Sequence, residues 1–386
     1  APAPAPAPAA LEAAAPAPEG EGGRAGAPGG GGALGALGTA ALVSPFFFWG
    51  TSMVAMKGVM TGAWGGAADV SPLFVAAVRV IPAGALVVAW AASTGRRGPS
   101  DLAGWGAVAA FALVDATLFQ GCLAEGLERT SAGLGSVIID SQPITVALLA
   151  AVLFGERLAP RGVAGLAVAV LGLALLEHVS PAGLLSGGGA GVAGAAGAAG
   201  SLWDSGEWWM FLAAQSMAVG TVMVRWVSRV CDPVMATGWH LLLGGVPLLG
   251  LSVVREPETW ARLAADVAGG AGGGGGPAAA PLLSGTSELA LLYASVLGSA
   301  AAYAIFFYNA SRGNLTKLSS LTFLTPVFAA AFGWAVLGET LSGDQLLGAV
   351  VTLAGVLLVT GAGGEDGEGD AGGQGDAGGE GDALDL

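Results

Sequence analysis

Apolar residues run in ten long blocks, approximately 44–62, 72–92, 103–124, 132–154, 160–177, 208–226, 233–252, 288–309, 315–337 and 343–361. Each is about 17–23 residues long, the length an α-helix needs to cross a roughly 30 Å hydrocarbon layer. The fifth and tenth are the shortest. Gly and Ala abound within the blocks, which in lipid favours close helix packing rather than helix breaking. Trp49, Trp64, Trp105, Trp208, Trp209 and Trp239 fall near block ends, where an interfacial belt would put them. The pattern predicts an all-α integral membrane protein.

The blocks repeat. Arg129, Ser136, Pro143, Gly155, Glu156, Leu158, Gly165, Val168, Gly172 and Leu175 recur as Arg312, Ser319, Pro326, Gly338, Glu339, Leu341, Gly348, Val351, Gly355 and Leu358, at a constant spacing of 183 residues. Five spans per copy is an odd number, so the second copy enters the membrane the other way up. The expected fold is therefore ten transmembrane helices as two inverted five-helix repeats. A duplicated helix set interrupted by proline at matching places points to a secondary transporter.

Composition agrees: 54% of residues are hydrophobic and 11% charged, whereas a soluble domain carries about a quarter charged. The net charge of −14 is concentrated at the ends. Residues 361–386 hold eight acids and no base, and residues 1–40 hold Glu12, Glu19, Glu21 and Arg24, which leaves the body near −4. An acidic, Gly-rich tail reads as solvating and disordered, and it argues against nucleic-acid binding. Cys122 and Cys231 lack metal-like spacing and read as small buried residues.

The expected organisation is a disordered Ala/Pro/Gly-rich segment 1–40, a first five-helix repeat 44–177, a Gly-rich linker 178–206, a second repeat 207–361 and an acidic tail 362–386. A second Gly-rich stretch, 263–286, also reads as a flexible linker. The opening Ala-Pro repeat shows no basic amphipathic pattern of a targeting peptide. With the N-terminus inside, nine Lys and Arg lie in inner segments against three in outer loops. That bias puts both termini on the cytosolic or stromal side.

Several residues within the blocks carry chemistry. Pro143 and Pro326 lie mid-span, each removing a backbone donor and freeing carbonyls near 139 and 322. They read as hinges lining a central cavity, against the alternative of static packing kinks. Asp140 and Gln142 precede the first proline. A carboxylate at mid-membrane costs about 3 kcal/mol or more unless paired or hydrated, so Asp140 leads the candidates for substrate contact or proton coupling. The alternative is a structural pair with an intramembrane base. Lys57, Arg79, Asp115 and Gln120 come next. Lys57 either serves the site or snorkels, and Arg79 either binds an anionic group or pairs with Asp115. By alignment of Gly84 with Gly245, His240 is the repeat counterpart of Arg79, and Tyr303 is that of Gln120. Glu156 and Glu339, at membrane boundaries, read as structural caps or pairs.

The opening span Trp49-Gly50-Thr51-Ser52-Met53-Val54-Ala55-Met56-Lys57, its echo at Gly220, Thr221, Met223 and Val224, and the repeated Pro, Gly-Glu-x-Leu and Gly pattern resemble the EamA family of the drug/metabolite transporter superfamily. The resemblance covers residues 44 to 360. The segment 239–248 is similar to plant and cyanobacterial members related to the walls-are-thin transporters, which implies a plastid envelope. The family implies a transporter of a small metabolite by alternating access, proton-coupled or exchanging.

An intramembrane enzyme is the competing class, but the sequence contains no His-Glu-x-x-His and no Gly-x-Ser-x-Gly, and its histidines are only His178 and His240. A passive channel lacks runs of pore-lining charge. No phosphate-binding loop is present to drive transport by ATP. No cofactor and no metal are expected. The expected partners are the lipid bilayer and a small-molecule substrate, with no nucleic acid, and a homodimer remains open.

Overall fold

The computed structural model describes residues 30–66, 70–127, 129, 138–156, 159–176, 202–269, 281–337 and 342–361. The Ala-Pro segment 1–29, most of the linker 178–206, His178, Glu339 and the acidic tail lie outside the described residues. The helices are α1 (Gly30–Met60), α2 (Pro72–Ser93), α3 (Leu102–Gly126), α4 (Ile138–Phe154), α5 (Pro160–Leu176), α6 (Gly206–Val227), α7 (Pro233–Arg255), α8 (Gly285–Ala310), α9 (Leu315–Val336) and α10 (Gly343–Gly361). Eight are long and apolar enough to cross a membrane, with α1 qualifying over Gly38–Met60, while α4 and α5 are apolar but shorter. Among the described residues, β structure is limited to an isolated bridge between Gly66 and Leu283.

Three local expectations are corrected. The segment 1–40 was expected to be disordered, yet α1 already begins at Gly30. Its run Ala33-Leu34 to Leu42-Val43 is rich in strong helix formers. The linker 263–286 is helical in its first part, because an amphipathic helix runs Pro257–Gly269. Proline at its first position suits a helix start, and Trp260 docks on Phe74 with ring centroids 5.1 Å apart. Trp49 does not sit at a span end. It lies inside α1, packed against Tyr303 and Phe306 at 5.2 and 5.1 Å.

Two spans are not plain α-helix. Residues Ala112–Leu118 of α3 and Val296–Ala301 of α8 are wound as π-helix, and a shift of 183 residues brings 113–118 onto 296–301. Single π turns inside α-helices cluster at functional sites. The proline spans are broken too. A turn at Ser141 separates 138–140 from Gln142–Phe154, and a 3-10 turn Leu321–Phe323 precedes Leu324–Leu337. Pro143 and Pro326 therefore start the second segment of each span rather than interrupting one regular helix.

Helices associate through glycine. In α2 and α7, Gly84 meets the backbone of Gly238 and Leu242, and Gly245 meets Ile81. In α5 and α10, Gly165 faces the Gly355 carbonyl and Val359, while Gly172 faces Thr352 and Gly348 faces Leu176 and the Gly172 carbonyl. Rising positions on one helix meet falling positions on the other, so both pairs run antiparallel. In lipid such pairs hold by van der Waals packing, and missing side chains let the backbones approach. The remaining contacts between the halves come in matched sets. Helix α1 packs on α8 through Gly298 and Ser52 and on α9 through Gly50 and Thr325, while α6 packs on α3 through Gly220 and Asp115 and also lies against α4.

Candidate functional site: a polar cluster between the halves

The prolines, glycines and π turns leave one set of polar side chains buried near mid-span. Asp115 lies in the π stretch of α3 and is 1% exposed. It faces Gly220 of α6, where any Cβ would strike its carboxylate. Its Oδ2 lies 2.9 Å from Nε2 of His240 on α7, which is fully buried. Nδ1 of His240 lies 3.0 Å from the Thr237 carbonyl oxygen.

That geometry fixes how protons are arranged. A carbonyl only accepts, so Nδ1 carries a hydrogen and donates to Thr237. Either Nε2 also donates and the pair is imidazolium with carboxylate, or a protonated Asp115 donates to Nε2 and both groups are neutral. In both forms the pair holds one proton between the two residues and has zero net charge. Phe111 stacks on the imidazole at 4.4 Å, with Phe307 edge-on at 5.4 Å. Oδ1 of Asp115 has no hydrogen-bond partner.

Arg79 on α2 is 6% exposed and its Nε is also without a partner. Of its two expected roles, pairing with Asp115 is not what the structure shows, because Asp115 turns to His240. Among the described residues no carboxylate pairs with Arg79. Tyr303 of α8 lies within electrostatic reach of both Arg79 and Asp115, with the Gln120 side chain of α3 near its hydroxyl. Gln120 and Tyr303 are repeat counterparts, so the two equivalent positions meet one another. Arg79 and His240 are counterparts as well. In the α2–α7 pair, Gly245 lies against Val80 and Ile81 while Gly238 lies against Val87 and Val88, which puts His240 about six residues along from Arg79. On antiparallel helices that separates them by about 9 Å along the crossing.

Gln142 and Thr325 form a second matched pair, each directly before its proline. They are 1% and 6% exposed, and the Gln142 amide and Thr325 hydroxyl have no partner. Native structures leave few buried polar atoms unpaired, and each calls for a reason. Within a membrane such atoms are met by neighbouring helices or a water-lined cavity.

The other candidates differ in burial. Asp140 ends the turn before Ser141 and is half-buried, so the fully buried carboxylate is Asp115 instead. Lys57 is exposed in the last turn of α1. Glu156 accepts from the backbone N–H groups of Leu315 and Thr316 at the start of α9, and it bridges Arg225 of α6 at 2.8 Å. Sequence reasoning missed Ser52, whose Oγ lacks a partner, the aromatic wall of Phe111 and Phe307, and the inward place of Trp49. It also missed Thr325, which the constant spacing from Gln142 would have found.

Known proteins match this architecture. The model of the EamA-like transporter family matches twice, over residues 36–177 and 204–361. A chloroplastic WAT1-related protein of Arabidopsis thaliana is 53% identical over 327 residues, covering 84% of this chain and 70% of its own length. An uncharacterized transporter of Synechocystis is 50% identical, covering 82% of this chain and 88% of its own. A probable amino-acid metabolite efflux pump of Salmonella typhimurium is 27% identical over 59% of this chain and 67% of its own. One solved crystal structure, 16% identical, shares the fold with a TM-score of 0.62 over 86% of this chain and 98% of its own. These matches agree with the motifs in the sequence and with the apolar helices: the chain is an integral membrane protein that belongs to the EamA-like transporter family.

Proposed function

We propose that the chain is a secondary carrier in which two inverted five-helix halves rock about the central cluster and move a small metabolite by alternating access, coupled to a proton. The inverted arrangement rests on the glycine contacts. Gly165 meets Gly355, the counterpart of Gly172, and Gly172 in turn lies against Gly348, the counterpart of Gly165. Such reciprocal contact is the mark of a two-fold relation. For helices with the same fold position to run antiparallel, that axis lies in the membrane plane.

The observation that carries the coupling is the Asp115–His240 pair. It joins the first half to the second, is buried, and holds one proton whose loss changes its net charge. The chloroplastic relative supports a plastid membrane, and the Lys/Arg bias supports both termini on its stromal or cytosolic side.

The test is uptake of a metabolite pool into proteoliposomes, read by mass spectrometry, with and without a pH gradient. At least one solute accumulates with the gradient, and Asp115→Asn lowers that accumulation by about tenfold or more per molecule of folded protein. Accumulation of a solute that ignores both the gradient and the substitution would leave a carrier without proton coupling. Absence of counterflow for every accumulated solute would instead indicate a channel.

A further inference from the structure

Among the described residues, no carboxylate compensates the charge of Arg79. The Asp115–His240 pair is neutral as a unit, so it offers no counter-charge. Tyr303 is the neighbour within electrostatic reach, and as a phenol it is neutral. An isolated charge inside a membrane is costly, and such groups face a partner or a solute path. We propose that Arg79 anchors the charged group of the substrate and that this group is a single carboxylate, so the cargo is a small organic monoanion with an apolar body. The proposal rests on the carrier reading above and names its substrate class.

Three observations select this chemistry. First, a planar guanidinium with several donors matches a carboxylate in a two-bond fork, and a neutral solute would leave its charge unmet. Second, the uncompensated charge is one. Lys57 is exposed at the end of α1, and His240 is engaged with Asp115. A dianion such as malate at neutral pH would therefore replace one unmet charge by another. Third, Tyr303, the neighbour within electrostatic reach of Arg79, belongs to an aromatic cluster. Trp49 stands 5.2 Å from Tyr303 with its indole N–H unpaired, and Phe306 and Phe307 continue the wall. An apolar body against these rings, with its carboxylate on Arg79, uses both features.

The test is binding, read as the shift in melting temperature of the full chain in detergent. The probes are acetate, pyruvate, benzoate and hexanoate, each beside its neutral amide, with sulfate and malate as dianions. At saturation at least one monocarboxylate raises the melting temperature by about 2 °C or more, and its amide does not. Arg79→Gln abolishes the shift, and Arg79→Lys retains a smaller one. The proposal is overturned if no monocarboxylate stabilises the protein, if an amide matches its acid, if a dianion stabilises more, or if a folded Arg79→Gln protein keeps the shift. The comparison of acid with amide needs no variant, so misfolding of Arg79→Gln leaves it decisive. Failure here with intact counterflow of a neutral solute leaves the carrier reading standing. Binding of a monocarboxylate without counterflow sinks the carrier reading alone.

Discussion

His240 shows how one side chain is fixed by its neighbours. Its two ring nitrogens are held by Thr237 and Asp115, its face by Phe111, and its edge by Phe307. Removing one member of a buried pair strands the other, at a cost of about 3–5 kcal/mol. His240→Gln is thus expected to lower the melting temperature in detergent sharply, because Asp115 loses its proton-sharing partner. Adding Asp115→Asn to it should recover much of that loss, since neither charge remains to be buried. A double variant no more stable than the single one would show that the pair contributes nothing at this site. The residue types were legible beforehand: Arg79, Asp115, Gln120, His240 and Tyr303 are the polar interruptions of apolar blocks. Their ranking was not. Asp140 led as a carboxylate expected at mid-membrane; it is half-buried where Asp115 is buried, because burial is decided by which residue faces a small neighbour on another helix. Gly220 gives Asp115 that room, and Gly220 is 105 residues away in sequence, beyond any local pattern.

Helices were the most legible level, for a simple reason. A span announces itself by length and apolarity, and the repeated glycines at 165, 172, 348 and 355 announced a shared packing face. The π stretches were invisible, because no residue type marks a turn that widens by one residue. The amphipathic helix Pro257–Gly269 was hidden by the glycine run that follows it. The α5–α10 crossing yields a contained test. Gly172→Leu drives a side chain into the Thr352 backbone, and overpacking of this kind costs about 1–3 kcal/mol or more. Gly162, on the same helix, has no atom within 4 Å of its missing Cβ, so Gly162→Leu should change stability by only a few tenths of a kcal/mol. Melting temperatures of the two variants in detergent provide the comparison. Equal losses would mean that the glycine face is not what joins these helices.

At the scale of the whole molecule, the halves are tied together at both ends. On one side Glu156 caps the start of α9 and bridges Arg225 of α6. On the other, Glu125 of α3 bridges Arg255 of α7 at 2.7 Å, while Glu256 caps the start of α2 through the N–H groups of Leu73 and Phe74. The sequence showed Glu156 and Glu339 as a repeated pair, but not that Glu156 reaches across to the other half, since its partners lie 69 and 159 residues away. A carrier that rocks must separate these ties in turn, one end per half-cycle, whereas a channel keeps one path open throughout. Cysteines at positions 156 and 225, or at 125 and 255, can be joined by a short, reducible bifunctional reagent in a protein whose Cys122 is replaced by Ala. Cys231 adds little background, because burial, with Asp232 beside it, pushes its thiol up to about 12 and keeps it protonated near neutral pH. Either cross-link alone should arrest counterflow by about tenfold or more, and a reducing agent should restore it. Arrest at both ends separately requires that each opens during transport. If counterflow persists with either end locked, that end stays shut or stays open through the cycle, and rocking about the Asp115–His240 cluster is not how this protein moves its cargo.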